Sequence, residues 1–188
     1  SDATLEPGVV LIDTRPAAQF RQGHLPGAIN LMDGGKFETW LGSIVGPDEP
    51  FYLLADSQIA LDTVIRKAAK IGYEGNIKGA LLTPAQLPAT SPTVDVDQVR
   101  HQPQDFTIVD IRNRAEAKQP IFDNALLIPL PELRERVQEI PTDKPILIHC
   151  AGGYRSAAGA SIVEATQPSV PVYDLGDSIT SFQPQAVH

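Results

Sequence analysis

Short apolar runs alternate along the chain with longer segments in which apolar residues recur at helical spacing. In the first half, three of these runs predict buried strands: residues 9–13, 28–31 and 51–54. The stretch from Ser57 to Ile71 carries its apolar residues on one stripe and predicts a helix, capped by Asp56 or Ser57 and stopped by Gly72. Because strands alternate with helices, we predict an α/β fold with a mostly parallel sheet flanked by helices on both faces.

The same pattern occurs twice, which predicts an internal repeat. The segment VLIDTR matches TIVDIR 97 positions later, so that Asp13 corresponds to Asp110. PFYLLAD aligns with PILIHC at an offset of 95, which places Ala55 opposite Cys150. Two further matches share the offset of 97: Ala28 with Ala125, and Gly79 with Gly176.

The two copies meet in the segment TPAQLPATSPTV, residues 83–94, which contains three prolines among small polar residues. Such a segment is typical of a semi-rigid linker or of a connection along a strand edge. We therefore predict two domains, residues 1–90 and residues 91–188.

Cys150 is the only cysteine, and it stands between a predicted strand at 146–148 and the glycine-containing segment AGGYRS. The glycines allow successive amide N–H groups to turn inward around an anion. The positive end of the helix predicted over 156–163, together with Arg155, favours the thiolate, which is the reactive form. The alternative is a small buried apolar residue, which is the common role of a free cysteine.

The neighbours of Cys150 each allow two interpretations. Arg155 either grips an anionic substrate or forms a structural salt bridge with Asp110 or Glu116, and Tyr154 either lines the mouth of the site or packs on the surface. We expect Ser156 to cap the following helix. Strand side chains alternate, so His149 should point away from the Cys150 side chain and serve packing.

Composition excludes several functions. A net charge of −8 argues against nucleic acid as a partner, and the four histidines and one cysteine show no metal-ligand spacing, so we expect neither a metal nor a cofactor. No apolar run is long enough to cross a membrane, and no signal peptide is visible. A lone thiol cannot form an internal disulfide and fits the reducing cytoplasm.

Two motifs resemble those of the rhodanese family of sulfurtransferases. The first copy contains DTRPAAQFRQGHLPGAINL, which is similar to the family's D-x-R and G-H-[IL]-P-G-A-x-N signature, and the second contains DIR and the loop CAGGYRS. The resemblance implies two rhodanese-like domains. The first lacks the cysteine and is expected to be inactive, whereas the second is expected to use Cys150 and Arg155, with Asp110 and Arg112 in support.

The resemblance also implies the reaction. Cys150 would take the outer sulfur of thiosulfate or a small persulfide and pass it to a thiol, sulfite or cyanide. The persulfide charge would be held by the amides of the loop: Ala151, Gly152, Gly153, Tyr154, Arg155 and Ser156. The spacing CxxxxR is one residue shorter than the CxxxxxR of tyrosine phosphatases, and a smaller ring of amides suits one sulfur atom better than a phosphate. A phosphate- or arsenate-handling relative is the alternative.

A further segment, GGKFETWLGSIVGPDEPFYLLAD, looks like the middle of proteins that join a metallo-β-lactamase-type domain to two rhodanese domains. The chain would then be the tandem rhodanese part of such a fusion, and a non-catalytic docking or regulatory module is a competing function. The second copy departs from the family pattern at QPIFDNALL, where the G-H-I-P-G-A segment is expected, and at Phe182, where a tryptophan is common.

Overall fold

The computed structural model describes residues 4–166 and 169–183. The chain divides into two compact units, of which the first ends at Ser91 and the second begins at Pro92. The regular elements of the first unit are β1 (Val10–Asp13), α1 (Ala17–Gln22), β2 (Ile29–Asn30), α2 (Phe37–Ile44), β3 (Phe51–Ala55), α3 (Gln58–Ala69) and β4 (Ile77–Leu82), with a 3₁₀ helix at Glu74–Asn76.

The first unit is built on a four-stranded sheet in the order β2-β1-β3-β4, and its neighbouring strands are parallel. All five residues of β3 are buried, because both faces of the sheet are covered. The hydroxyl of Ser57 accepts a hydrogen bond from the amide of Ala60 at 3.2 Å, which makes Ser57 the N-cap of α3. The predicted α/β pattern is confirmed here.

The second unit repeats the order of the four strands, but a helix precedes its first strand and a 3₁₀ helix lies between its first two strands. Its elements are α4 (Val96–His101), β5 (Thr107–Asp110), β6 (Leu126–Leu127), α5 (Leu130–Arg136), β7 (Ile146–His149), α6 (Tyr154–Thr166) and β8 (Val172–Asp174), with 3₁₀ helices at Pro103–Asp105, Glu116–Lys118, Val137–Glu139 and Gly176–Ser181.

The second sheet has the order β6-β5-β7-β8, again with parallel neighbours, so the two units share one topology. The proposed match of Gly79 with Gly176 is wrong. Gly79 lies inside β4 opposite Tyr52, whereas Gly176 follows β8 and adopts a φ of +62°. The repeat therefore holds for the strand order, but the constant offset does not extend to the last strand.

Helix α6 lies very close to the sheet of the second unit. A Cβ atom added at Gly159, in the middle of α6, would lie 2.6 Å from Cδ1 of Ile111 and 3.2 Å from Cγ2 of Ile148. Both isoleucines are fully buried. This close packing fixes the start of α6 relative to the end of β7, which is the region that contains Cys150.

The connection between the copies is fastened to the first unit. Ala89 forms an antiparallel bridge with His24, through backbone hydrogen bonds of 2.8 and 3.1 Å, and the amide of Ser91 donates to the carbonyl of Arg21 at 3.0 Å. This bridge is isolated and lies outside the strands of the sheet, so the segment is hydrogen-bonded to the first unit without extending a strand edge. The His24 ring stacks on Phe20 with centroids 3.8 Å apart, so its role in the first unit is structural.

Candidate active site

Cys150 directly follows β7, an inner strand of the second sheet whose four residues are all buried. The amide of Gly153 donates a hydrogen bond to Sγ of Cys150 at 3.1 Å. The cysteine itself is only 1% exposed. The sulfur therefore lies on the inner side of the loop of residues 150–155, hereafter the Cys150 loop, with a backbone donor directed at it.

Gly153 gives the Cys150 loop its shape. Its φ of +100° lies in the region that side chains disfavour, and a Cβ atom there would lie 2.6 Å from the backbone of both Gly176 and Asp177. Gly152 has no positive φ, and a Cβ atom on it would meet no described atom within 4 Å. The sequence assigned the curl of the loop to both glycines, but only Gly153 is required for it.

Helix α6 begins at Tyr154, two residues before the predicted start, and Tyr154 is partly buried there. Ser156 consequently lies inside the first turn, where its hydroxyl donates to the carbonyl of Gly153 at 3.2 Å. The predicted N-cap role of Ser156 is therefore wrong, because a cap would accept a hydrogen bond from an amide. The earlier start brings the N-terminus of a 13-residue helix directly next to the Cys150 loop.

Arg155 forms a two-pronged salt bridge with Glu116, with N–O distances of 2.7 and 2.8 Å. Of the two carboxylates considered as partners, the structure selects Glu116. The Arg155 guanidinium lowers the pKa of Glu116 to about 2, chiefly through these hydrogen bonds. The same bonds raise the pKa of Arg155, so both groups are charged at neutral pH.

Asp110 is paired instead with Arg112, which donates to it from Nε and from a terminal nitrogen at 3.0 and 2.7 Å. Arg112 also donates to the carbonyl of Glu116 at 3.3 Å and so holds the loop after β5. Asp13 and Arg15 form the same pair in the first unit, at 2.6 Å. Because the pair occurs in both units, it stabilises the fold and supports the site only indirectly.

His149 is fully buried at the end of β7. Its Nδ1 lies 3.1 Å from the carbonyl oxygen of Cys150, and because a carbonyl only accepts, Nδ1 is the donor. The ring contacts Phe122 edge-on at 5.3 Å, and burial lowers the pKa of His149. The sequence interpretation of His149 as a packing residue agrees with these contacts.

Gln183 is hydrogen-bonded to the Cys150 loop, and its neighbour Phe182 packs on Phe122. The side-chain amide of Gln183 donates to the carbonyl of Ala151 at 2.6 Å, and the Phe182 ring lies 5.2 Å from that of Phe122. Phe122 belongs to the departing segment QPIFDNALL, and with Phe182 it forms part of the hydrophobic core of the second unit. The sequence missed the contacts of Gln183 and Phe122, because neither residue lies near Cys150 in the chain.

The first unit has a cavity at the equivalent place but lacks the nucleophile. Ala55 ends β3 where Cys150 follows β7, and Ala60 stands where the offset of 95 predicts the counterpart of Arg155. The cavity has a volume of about 250 Å³ and is lined in part by Ala55, Asp56 and Ala60. The first unit therefore carries no thiol at the position that corresponds to Cys150.

Within residues 4–166 and 169–183, no helix is long and apolar enough to cross a membrane. Over the same residues, no group of three or more His, Cys, Asp or Glu side chains is arranged to hold a metal ion. The Cys150 loop is therefore the candidate active site that the structure supports best.

Several known proteins are similar to this chain. A sulfurtransferase of Allochromatium vinosum is 40% identical over 53 residues, which cover 28% of this chain and 50% of that protein, so the match spans about half of the relative. A thiosulfate sulfurtransferase from Pseudomonas aeruginosa is 17% identical and covers 93% of this chain and 40% of that one, with a TM-score of 0.36. A human single-domain sulfurtransferase is 18% identical and covers 51% of this chain and 100% of that one, with a TM-score of 0.42.

A family model also matches most of the chain. The model for the rhodanese-like domain matches twice, at residues 2–81 and at residues 95–183. The two matches fall on the two structural units, each with its four-stranded parallel sheet. The chain belongs to the rhodanese-like domain family, of which it contains two domains.

Proposed function

We propose that the second unit is a sulfurtransferase in which Cys150 carries the sulfur atom. The observation that supports this most directly is the 3.1 Å hydrogen bond from the Gly153 amide to Sγ, next to the N-terminus of α6. An amide and a helix dipole directed at sulfur stabilise negative charge on it, and therefore favour both the thiolate and a persulfide. The remaining amides, from Ala151 to Ser156, would complete this stabilisation once the extra sulfur is bound.

The reaction has two steps. The Cys150 thiolate attacks the outer sulfur of the donor, a new S–S bond forms to Sγ, and the old S–S bond breaks with its electron pair on the leaving group. With thiosulfate as the donor, the leaving group is sulfite. With a small persulfide as the donor, the leaving group is the corresponding thiolate. A thiol, sulfite or cyanide then attacks the outer sulfur of the Cys150 persulfide and regenerates the thiolate.

The burial of Cys150 limits the donor. Because the residue is 1% exposed, only a narrow outer sulfur atom can approach Sγ unless the rim of the loop moves. The hydrogen bond between Gln183 and Ala151 restrains the backbone next to Cys150. We therefore propose that donors present a terminal sulfur on a slender group, as thiosulfate and persulfides do, whereas bulky electrophiles react slowly.

Intact-protein mass spectrometry tests the proposal. The protein is incubated separately with thiosulfate and with glutathione persulfide, and a mass gain of about one sulfur atom is expected. Addition of sulfite or cyanide should remove the gain, and Cys150→Ser should not show it. A wild-type protein that gains no mass from any donor, although Cys150 is reduced, would refute sulfur transfer.

A docking role is the second candidate, and one observation favours it for the first unit. This unit keeps its sheet, its aspartate–arginine pair and its cavity but has Ala55 in place of the cysteine. We propose that it binds a neighbouring protein or domain, for which a metallo-β-lactamase-type domain in a longer parent protein is the candidate. We also propose a cytoplasmic location, because transfer requires Cys150 to stay reduced. Pull-down of such a domain by the first unit alone would test the docking role.

A further inference from the structure

We infer that Glu116 determines which donors the site prefers: by neutralising Arg155, it favours persulfides, with one negative charge at the reacting end, over dianionic thiosulfate. The inference rests on the proposed function of Cys150 and adds a specificity-determining residue to it. Glu116 is far from the nucleophile in sequence and does not belong to the Cys150 loop.

The geometry of the pair supports the inference. Both oxygens of Glu116 accept hydrogen bonds from Arg155, and one also accepts from the amide of Asn113 at 3.0 Å. The Arg155 side chain is 11% exposed and that of Glu116 is 35% exposed, so water screens the pair incompletely. With a pKa of about 2, Glu116 remains charged at neutral pH and cancels most of the field that Arg155 would exert alone.

The two units share the aspartate–arginine pair but differ at the positions of Glu116 and Arg155. The aspartate–arginine pair that follows the first strand is present in both units. Counted from the aligned aspartates, at an offset of 97, Gln19 stands where Glu116 is. Counted from Ala55 and Cys150, at an offset of 95, Ala60 stands where Arg155 is. The unit without the nucleophile has thus lost both members of the ion pair but keeps the fold. The Glu116–Arg155 pair is therefore found in the unit that contains Cys150 and is absent from the unit that lacks the cysteine.

The position of Arg155 makes its charge relevant to the donor. Arg155 belongs to the Cys150 loop, two residues after the Gly153 amide that donates to Sγ, and Cys150 is among the groups that raise the pKa of Arg155. A donor that arrives at Sγ meets the same field. Thiosulfate carries two negative charges around its outer sulfur, whereas an alkyl persulfide carries one there, with any other charges farther away. A net cation at this place would favour thiosulfate more than it favours the persulfide.

The test replaces Glu116 and compares two donors. Glu116→Gln keeps the size of the side chain and removes its charge, whereas Glu116→Asp keeps the charge. We expect Glu116→Gln to raise the ratio of kcat/KM for thiosulfate to that for glutathione persulfide by about fivefold at low salt, and Glu116→Asp to leave it within about twofold of wild type. The matched control is Glu139→Gln, because Glu139 forms a similar two-pronged pair with Arg136 on the surface of the same unit.

A second readout does not require turnover. The rates at which Cys150 is alkylated by anionic iodoacetate and by neutral iodoacetamide are compared in each variant, and Glu116→Gln should raise their ratio by about the same factor. An unchanged or lowered ratio in both assays would overturn the inference. A change in Glu139→Gln equal to that in Glu116→Gln would overturn it as well.

The two proposals can fail separately. If wild-type Cys150 is alkylated but gains no sulfur from either donor, sulfur transfer fails while the alkylation ratio still tests the role of Glu116. If the protein transfers sulfur but Glu116→Gln leaves its donor preference unchanged, only the inference fails. A wild-type thiol that neither alkylating reagent nor either donor can reach would refute both, because a closed site has no selectivity.

Discussion

Replacement of Gly153 by alanine tests whether the Cys150 loop depends on one backbone conformation. The new methyl group would lie 2.6 Å from the backbone of Gly176 and Asp177, and the residue would keep a φ of +100°. A side chain at such a φ costs about 1–3 kcal/mol, and a clash with backbone that cannot rotate away adds about 1–3 kcal/mol. Because the loop relaxes in part, we expect the free energy of unfolding to fall by about 3 kcal/mol.

The matched control is Gly152→Ala in the same loop. Its Cβ would meet no described atom within 4 Å, and no positive φ is required there, so its stability should stay within about 0.5 kcal/mol of wild type. Urea denaturation followed by circular dichroism measures both variants, and mass spectrometry of the sulfur adduct follows the Cys150 chemistry. We expect Gly153→Ala to form the adduct at least about tenfold more slowly, because the amide that donates to Sγ is displaced.

The comparison has a clear negative outcome. If Gly153→Ala is as stable as Gly152→Ala and forms the adduct as fast, the loop tolerates another conformation. The close approach of Gly153 to Gly176 would then contribute nothing to the free energy of unfolding. A loss of stability without a loss of rate would separate the packing role of Gly153 from its role as a donor.

Two further predictions concern ion pairs. Asp110→Asn leaves the Arg112 guanidinium buried without its anion and should reduce the free energy of unfolding by about 3 kcal/mol, whereas Asp143→Asn, at an exposed position, should change it little in the same urea titration. The pKa of Glu116 falls from 4.5 to about 2 on folding, so its pair with Arg155 stabilises the fold fully above pH 4.5 and ceases to do so as the pH falls toward 2. Because the carboxylate is 35% exposed, the difference in unfolding free energy between wild type and Glu116→Gln should be only about 1 kcal/mol at pH 7 and vanish near pH 2; a difference that grows in acid would contradict the assignment.

The sequence predicted the elements that depend on local patterns. The apolar runs around β1 and β3 and the helical stripe from Ser57 predict strands and a helix within one to two residues of their observed ends. The sequence left Asp56 and Ser57 as alternatives for the cap of that helix, and the structure shows Ser57. The repeat of the strand order followed from VLIDTR and TIVDIR, because buried parallel strands keep a recognisable apolar pattern.

What the sequence did not reveal depends on contacts between distant residues. Glu116 is 39 positions from Arg155, and nothing local distinguishes it from Asp110 as the partner. The start of α6 was misplaced because Tyr154 and Arg155 carry no helix signal of their own, and packing at Gly159 determines where the helix lies. The hydrogen bond from Gln183 to Ala151 likewise joins residues that are distant in the chain, and no sequence motif predicts it.

The backbone bridge between Ala89 and His24, together with the bond from Ser91 to Arg21, shows where one domain stops. A split at residue 90, as the sequence suggested, would leave Ala89 in the first unit but would separate Ser91 from Arg21, whose carbonyl accepts a hydrogen bond from the Ser91 amide. The proline-rich stretch up to Ser91 is thus less a spacer than the closing segment of the first domain. Anyone who expresses the two halves separately should cut after Ser91, so that the N-terminal half retains both of these contacts.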